Sequence, residues 1–433
     1  MAIRDQLDRI IAVRREKCDA LKRRKARLQD LNTKLKDSTA GLTMGTKDIK
    51  DDQLRMQYGS VFGNITSYEV QRRIDRLLRR MDDGIKRFDR DYISIATVGK
   101  ERQGKSQFLQ SVGDLDNDII PAYDATSCTG ATSIIWNAPN LPKGSVRATI
   151  TFRQPQELID IVTPYIRELD ASYLESNPLS FDDVAYINLP RLAACMETGN
   201  ASQASAYKHL SSIVERFGEI RELFGSSPLS LTDPELIKTY VAQNNGRDMN
   251  DPKVEYYYKY LAVARADIYC PFFADTGKVR LVDTVGIGDT KYGIEDMMLN
   301  TVDKECDAAI VVTRPVSGVQ TTDQELYESL REKFKARDTS KWLFYLVNHF
   351  KGQNDNTVEA FCRDVQSAKW AVASCKVVDA SDQAAVRDTF VLPMLQTLLN
   401  NMDAIDGAYL KELDDEEAAV WAELRRFLDG LPS

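Results

Sequence analysis

The stretch "YISIATVGKERQGKSQFLQSV", residues 92–112, leaves this chain few folds to choose from. Its β-branched apolar opening reads as a buried strand, and "KSQFLQSV" opens a helix. Between them Gly99, Lys100, Glu101, Arg102, Gln103, Gly104, Lys105 and Ser106 spell G-x-x-x-x-G-K-S. Strand, glycine loop and helix in that order are what a phosphate loop needs. Glycines let backbone N–H groups turn inward, and the helix N-terminus adds its positive end. Lys105 is expected to reach the β- and γ-phosphates of a nucleotide and Ser106 to ligand Mg2+. Gly99, Lys100, Glu101, Gln103, Gly104 and Gln107 complete the expected nucleotide-binding set around them.

Two downstream segments fit the same chemistry. In "VRLVDTVGIGD" an apolar strand delivers Asp283, and Gly286 follows in a D-x-x-G spacing. Asp283 is expected to hold the metal, and the Gly286 N–H to meet the γ-phosphate. Both motifs must converge on one metal–phosphate unit, so together they say far more than either alone. Between them, "YDATSCTGATSIIW" is a Thr/Ser-rich loop entering a strand. A switch loop needs one threonine here to close over Mg2+ and the γ-phosphate. Thr129 and Thr132 are the candidates, with Thr126 behind them.

The 433 residues suggest one enlarged domain with appendages or two to three modules. Residues 3–36 carry a narrow apolar stripe at Ile3, Leu7, Ile10, Ile11, Cys18, Leu21, Leu28, Leu31 and Leu35, which marks a long amphipathic helix. Arg14 interrupts that stripe. A loop is expected over about 38–65. A second helix starts near "TSYE", capped by Thr66 or Ser67, with its stripe at Ile74, Leu77, Leu78, Met81, Ile85 and Phe88. From residue 91 short apolar strands alternate with helical stretches, the pattern of a mostly parallel sheet covered by helices. A helical insertion is expected over about 154–260. The tail returns to two helices, "VLPMLQTLLNNM" and "AYLKELDDEEAAVWAELRRFL". The expected organisation is an N-terminal helical segment (1–90), an α/β domain (91–395) and C-terminal helices (396–433) that pack with the first segment as a bundle.

Charge and cysteines narrow the function classes. Residues 1–90 hold 23 Lys and Arg against 14 Asp and Glu, and the remainder holds 34 against 51. A basic arm on an acidic body means either an anionic partner or an arm that docks on its own body. The seven scattered cysteines form no CxxC pattern and suggest neither a disulfide framework nor a zinc site. His209 and His349, the two histidines, read as ordinary surface or loop residues. No run approaches the roughly 18 apolar residues of a membrane span, and "MAIRDQLDRI" has no apolar signal-peptide core. A cytoplasmic location is the expectation.

The order of motifs, "GKERQGKS", "DIIPAYDATSCTGATS" and "VRLVDTVGIGD", resembles the GTPase domain of the dynamin superfamily over roughly residues 92–395. The flanking helices resemble that family's habit of packing N- and C-terminal helices beside the GTPase domain. The resemblance implies GTP and Mg2+ as ligands, hydrolysis of GTP to GDP and phosphate, and nucleotide-dependent dimerisation relayed through the bundle. Two departures stand out. Guanine selectivity in this family uses N/T-K-x-D, whereas the strand here ends "LFYLVNHFKGQND". Asn348 is in place, His349 stands where lysine belongs and Lys351 where aspartate belongs. Either Asp355 substitutes or guanine selectivity is weak, so ATP stays open. The last motif is degenerate, with Ala380, Ser381 and Asp382 of "VVDASD" near the expected base. Arg102, in turn, resembles the loop arginine of guanylate-binding proteins and atlastins, which swings in as a finger in cis. Ile287 follows the D-x-x-G where a water-orienting glutamine would stand, which makes such a stabiliser more necessary. The plain alternative is that Arg102 faces solvent or pairs with Glu101.

The leading expectation is a dynamin-like hydrolase working by in-line attack of water on the γ-phosphate. A nucleotide-gated scaffold or sensor with weak hydrolysis, in a bacterial dynamin-like pair or a defence complex, is the alternative. Partners are expected as a homo-dimer or hetero-oligomer through the GTPase domain and as proteins bound by the helices. An anionic membrane is a weaker expectation, and nucleic acid is not expected, because the basic helices lack interleaved aromatics.

Overall fold

The computed structural model describes residues 2–45, 48–65, 68–100, 103–115, 132–176, 178–242, 244, 252–272, 276–284, 294–316, 319–335, 337–349, 352–367 and 370–429. Three helices, α1 (Ile3–Gly45), α2 (Asp52–Ile65) and α3 (Tyr68–Phe88), precede the sheet. Strand β1 (Ile93–Val98) then leads into α4 (Lys105–Gly113), followed by β2 (Thr132–Asn137) and β3 (Arg147–Phe152). Helices α5 (Pro155–Leu169), α6 (Ala201–Ile220) and α7 (Pro234–Val241), with the short strand β4 (Leu229–Leu231), fill the segment before β5 (Val263–Cys270). Then come β6 (Val279–Asp283), α8 (Ile294–Glu305), β7 (Ala308–Thr313), α9 (Thr321–Lys333), β8 (Leu343–Asn348), α10 (Asp355–Gln366), β9 (Ser374–Val378) and α11 (Leu392–Asp429).

The strands form one nine-stranded sheet in the order β4-β3-β5-β2-β6-β1-β7-β8-β9. β1 runs parallel to both β6 and β7, and β7–β8 and β8–β9 continue in parallel. β2 crosses antiparallel to β6, and β3 antiparallel to β5 and β4. Every residue of β1, β7 and β8 is buried, as parallel strands with covered faces require. This is a mixed α/β fold with helices at both chain ends, as the alternating pattern implied.

The helical insertion leaves from β3 and returns at β5, which are neighbours in the sheet. It has its own apolar core, in which Leu158 and Val162 of α5 meet Leu210, Ile213 and Phe217 of α6. Besides its helices the insertion carries β4, a three-residue edge strand paired with β3. His209, expected at the surface, is buried on α6 and stacks on Tyr165 at 5.8 Å.

A third core joins α1, α3 and α11. The stripe of α1 gives it Cys18, Leu21 and Leu28, while Leu7 and Ile11 pack into the core of the sheet; α3 adds Ile74, Leu77 and Met81, and α11 adds Tyr409, Leu413 and Val420. Gly84 lets the helices approach closely, since a Cβ there would lie 2.7 Å from Leu21 Cδ2. Arg14 completes the α1 stripe as a fully buried cation, held by Asp307 at 2.8 Å and by both oxygens of Asp406. Further along, Arg24 meets Asp414 and Glu417, and Arg80 meets Glu412 and Glu416. The basic arm therefore docks on the chain's own acidic residues.

Two expectations about the helices need correction. The loop over about 38–65 is instead mostly helical: α1 runs on to Gly45, and α2 begins where the Asp51 carboxylate accepts hydrogen bonds from the Gln53 and Leu54 N–H groups. Thr66 and Ser67 lie outside the described residues. The two C-terminal helices are one continuous helix, α11, because the polar run "NNMDAIDG" between the apolar segments carries the Asp406 that Arg14 holds. No described helix is long and apolar enough to cross a membrane.

Candidate functional site: a phosphate loop at the carboxyl ends of the central strands

Both glycines of the loop are required by space as well as by conformation. Gly99 leaves β1 at φ +152, and a Cβ there would lie 2.4 Å from the Val312 carbonyl oxygen of β7. Gly104 sits in the left-handed region at φ +97, and its Cβ would fall 2.2 Å from Asn348 Nδ2. Only glycine fits either position. With Gly104 at its N-cap, α4 starts with no side chain capping its first turn, which leaves N–H groups turned toward the loop.

Lys105 is half-buried, and its ammonium donates to the Gly99 and Lys100 carbonyls, each at 3.1 Å. It thus spans the loop from within. Ser106 and Gln107 follow on the same first turn of α4. The Lys100 side chain leaves the loop for the start of α9, where it meets Asp323 at 2.8 Å and Thr322. Gln103 accepts at Oε1 from the Arg314 N–H beyond β7. Glu101 and Arg102 lie outside the described residues, so the arginine-finger expectation has no geometry here.

Asp283 ends β6, directly beside Thr97 of β1 in the parallel register. Thr97 Oγ1 donates to Asp283 Oδ1 at 3.3 Å. Burial raises the Asp283 carboxyl above the ordinary aspartate range, while the Lys105 charge and the Thr97 hydrogen bond pull it back down. The sheet thus brings the loop lysine and the downstream aspartate to one end of adjacent strands. Thr284 turns away at once, bonding through N–H and Oγ1 to the Thr97 carbonyl at 3.2 and 2.6 Å. Gly286, Thr126 and Thr129 lie outside the described residues. Thr132 is the first residue of β2, opposite Arg265.

The far side of the site is built on Asn348, at the end of β8. Its Nδ2 donates to the Gln103 carbonyl at 3.2 Å, and its Oδ1 accepts from the Ala380 N–H at 2.9 Å. One buried amide therefore ties the phosphate loop to the segment after β9. Ser111 of α4 adds a second tie, donating to the Ala380 carbonyl at 2.6 Å. Sequence reasoning placed Asn348 here and Ala380 near the expected base, but missed Ser111 and the bridging role. Those links join three segments far apart in the chain, and no local spacing signals them. His349 hydrogen-bonds through its N–H to the Val378 carbonyl, and its ring Nε2 lies 2.9 Å from Asp355 Oδ1 without hydrogen-bond alignment. Asp355 opens α10 and is exposed. Ser381 is held by Asp379, which accepts from its N–H at 2.8 Å and its hydroxyl at 2.6 Å.

All these groups sit at the carboxyl ends of β1, β6, β8 and β9, where open α/β sheets bind ligands. No protein-family model and no curated protein matches the sequence. Two solved structures of an oligomerised bacterial dynamin pair, each described as providing a mechanism for the long-range sensing and tethering of membranes, are similar to it at 13% identity. They cover 92% and 90% of this chain, with TM-scores of 0.39 and 0.37. The alignments take in 48% and 47% of the solved chains, so this chain spans about half the length of the structures it matches.

Proposed function

We propose that this chain is a dynamin-like GTPase that binds a nucleoside triphosphate at the carboxyl ends of β1 and β6 and hydrolyses its γ-phosphate. The observation that carries this reading is the convergence of Lys105 and Asp283 on a glycine loop that has no room for side chains. Gly99 and Gly104 leave a cradle that a Cβ would fill, and the first turn of α4 supplies N–H donors to it. The donor set also fits Mg2+: a desolvated carboxylate at Asp283, the Ser106 hydroxyl, and Thr129 or Thr132 from the switch segment. Asp283, Ser106 and the switch threonine would hold Mg2+, which would supply positive charge against the phosphates.

The chain's own groups have distinct tasks in this reading. Lys105 leaves the Gly99 and Lys100 carbonyls for phosphate oxygens of stronger charge. The Gly286 N–H meets the γ-phosphate. Arg102 supplies positive charge to the transferring phosphoryl, in the place of the absent glutamine at Ile287. Asn348 holds the loop against the Ala380 segment, where the base docks beside His349, Asp355 and Ser381. Guanine is assigned through the resemblance in motif order, and self-association through the GTPase domain belongs to the same proposal.

Single-turnover hydrolysis of GTP tests the catalytic half. Arg102→Ala is expected to slow turnover by about 10³-fold or more while leaving GTP affinity within a few fold. Wild-type turnover at the background rate, with nucleotide bound, would remove hydrolysis from the function. A mass measurement with GDP and a transition-state mimic tests the self-association.

A further inference from the structure

The helical bundle meets the α/β body around a cavity of about 310 Å³. α3 lines one side, α11 another, and α8 with the end of α9 closes the rest. Five cationic side chains face it: Arg80, Arg87, Lys304, Lys333 and Arg337. Three carboxylates, Asp83, Asp303 and Glu412, accompany them. Arg80 is already matched, because it holds both Glu412 and Glu416. Arg337 donates through Nη2 to Asp303 at 2.9 Å, and its Nε lies 3.9 Å from Glu412, beyond hydrogen-bond range.

The remaining donors are poorly served. Arg337 Nε and Arg87 Nε and Nη2 are buried without a hydrogen-bond partner, although Arg87 Nη2 lies 3.1 Å from Asp307. The Arg87 and Arg337 side chains are only 3% and 9% exposed. Both guanidiniums lie over the Tyr409 ring, at 5.6 and 5.1 Å from its centre. Burial lowers the proton affinity of Arg337, and the neighbouring Arg87 charge lowers it further. Buried guanidinium N–H groups without acceptors are costly, and two cations side by side add to that cost. The rim carries Lys304 and Lys333, both exposed, with Lys333 donating to the neutral Asn300 amide at 3.1 Å. Arg87 also donates through Nη1 to the Cys306 carbonyl at 3.0 Å, so the excess of donors over acceptors and of cations over anions is that of the residues lining the cavity.

We infer that this cavity is a binding site for a multiply charged phosphate group, gripped by Arg87 and Arg337 from within and by Lys304 and Lys333 at the rim. It is separate from the phosphate loop. Arg87 reaches Asp307, whose carboxylate accepts from the Ser94 N–H at the start of β1, whereas the phosphate loop lies past the other end of that strand. A six-residue strand separates the two ends by about 20 Å. A ligand here touches α3 and α11 on one side and α8 on the other, so occupancy strengthens the docking of the bundle on the sheet.

Titration calorimetry of the full chain with inorganic pyrophosphate tests this, carried out in a Lys105→Ala background to silence the phosphate loop. One equivalent is expected to bind, and adding Lys304→Ala with Lys333→Ala is expected to weaken it at least tenfold. Both lysines are exposed, so that pair does not compromise folding, and Arg337→Met should weaken binding similarly. No binding in the Lys105→Ala chain, or an affinity unchanged by the lysine pair, overturns the site. Co-sedimentation with phosphatidylcholine vesicles, with and without phosphatidic acid, separates the sources. Sedimentation that needs phosphatidic acid and the lysine pair makes a lipid headgroup the ligand. Pyrophosphate binding without sedimentation makes it a soluble phosphate compound.

Discussion

At the scale of single residues, the site shows how a charge is kept in reserve. Asp283 is desolvated at the end of β6, and its carboxyl is raised above the aspartate range. A raised folded value means that the folded state binds the proton more tightly than the unfolded chain. Stability therefore falls as pH climbs through the unfolded value of about 4 toward the folded one, and the ionised carboxylate is a cost at neutral pH. A cation delivered to the site relieves it. Asp283→Asn is expected to raise the thermal midpoint of the ligand-free protein at pH 7 while removing the Mg2+-dependent gain in nucleotide affinity. Thermal unfolding with and without Mg2+ and GTP measures both, and a lower ligand-free midpoint would show that the attraction of Lys105 outweighs the burial. The residues of this site were legible in the sequence wherever chemistry dictates a local spacing, as in Gly99 to Ser106 and in Asp283. Asn348 was legible as a strand-end residue, but not as the bridge between Gln103 and Ala380, because that role exists only once three distant segments meet.

At the scale of elements, the bundle is held by interlocking stripes. Leu413 is fully buried where α11 crosses α1 and α3, against the close approach that Gly84 permits. Truncating it leaves a cavity that rigid helices cannot close. Leu413→Ala is expected to cost about 2–5 kcal/mol in denaturant unfolding, and a loss below about 1 kcal/mol would mean that the bundle repacks around it. The stripes themselves were legible, since apolar residues at helical spacing have few other uses. The continuity of α11 was not. Its middle is polar, so periodicity breaks there, and the helix persists because Asp403 and Asp406 face Lys17 and Arg14 of α1. β4 escaped for a different reason. Three residues at a sheet edge carry too little pattern to separate from a loop.

At the scale of the whole molecule, Arg14 is the feature that turns from a flaw into a fastener. In the sequence it interrupts an apolar stripe; in the structure it is fully buried and joins α1 to Asp406 of α11 and to Asp307 at the start of β7. Asp307 in turn accepts from the Ser94 N–H of β1 and pairs with Arg87 of α3. Burial alone would push the Asp307 carboxyl up, but Arg14, Arg87 and Arg90 outweigh it and hold it well below the usual carboxylate range. A depressed folded value contributes stability that is present at neutral pH and is lost as pH falls below the unfolded value of about 4. Asp307→Asn is expected to cost about 3–5 kcal/mol at pH 7, by leaving buried arginines short of charge, and to flatten the loss of stability on the acid side. Urea unfolding at several pH values reads both effects, and an unchanged acid slope would place the acid sensitivity elsewhere. Sheet and bundle are thus one electrostatic unit, with the phosphate loop at the opposite end of β1 from the fastener. The most direct test of the proposed nucleotide site is titration calorimetry of the full chain with GTP, GDP and ATP in the presence of Mg2+. GTP and GDP are expected to bind at one site per chain more tightly than ATP, with Lys105→Ala abolishing both. A wild-type chain that binds none of the three, or a Lys105→Ala chain that binds GTP undiminished, would contradict it.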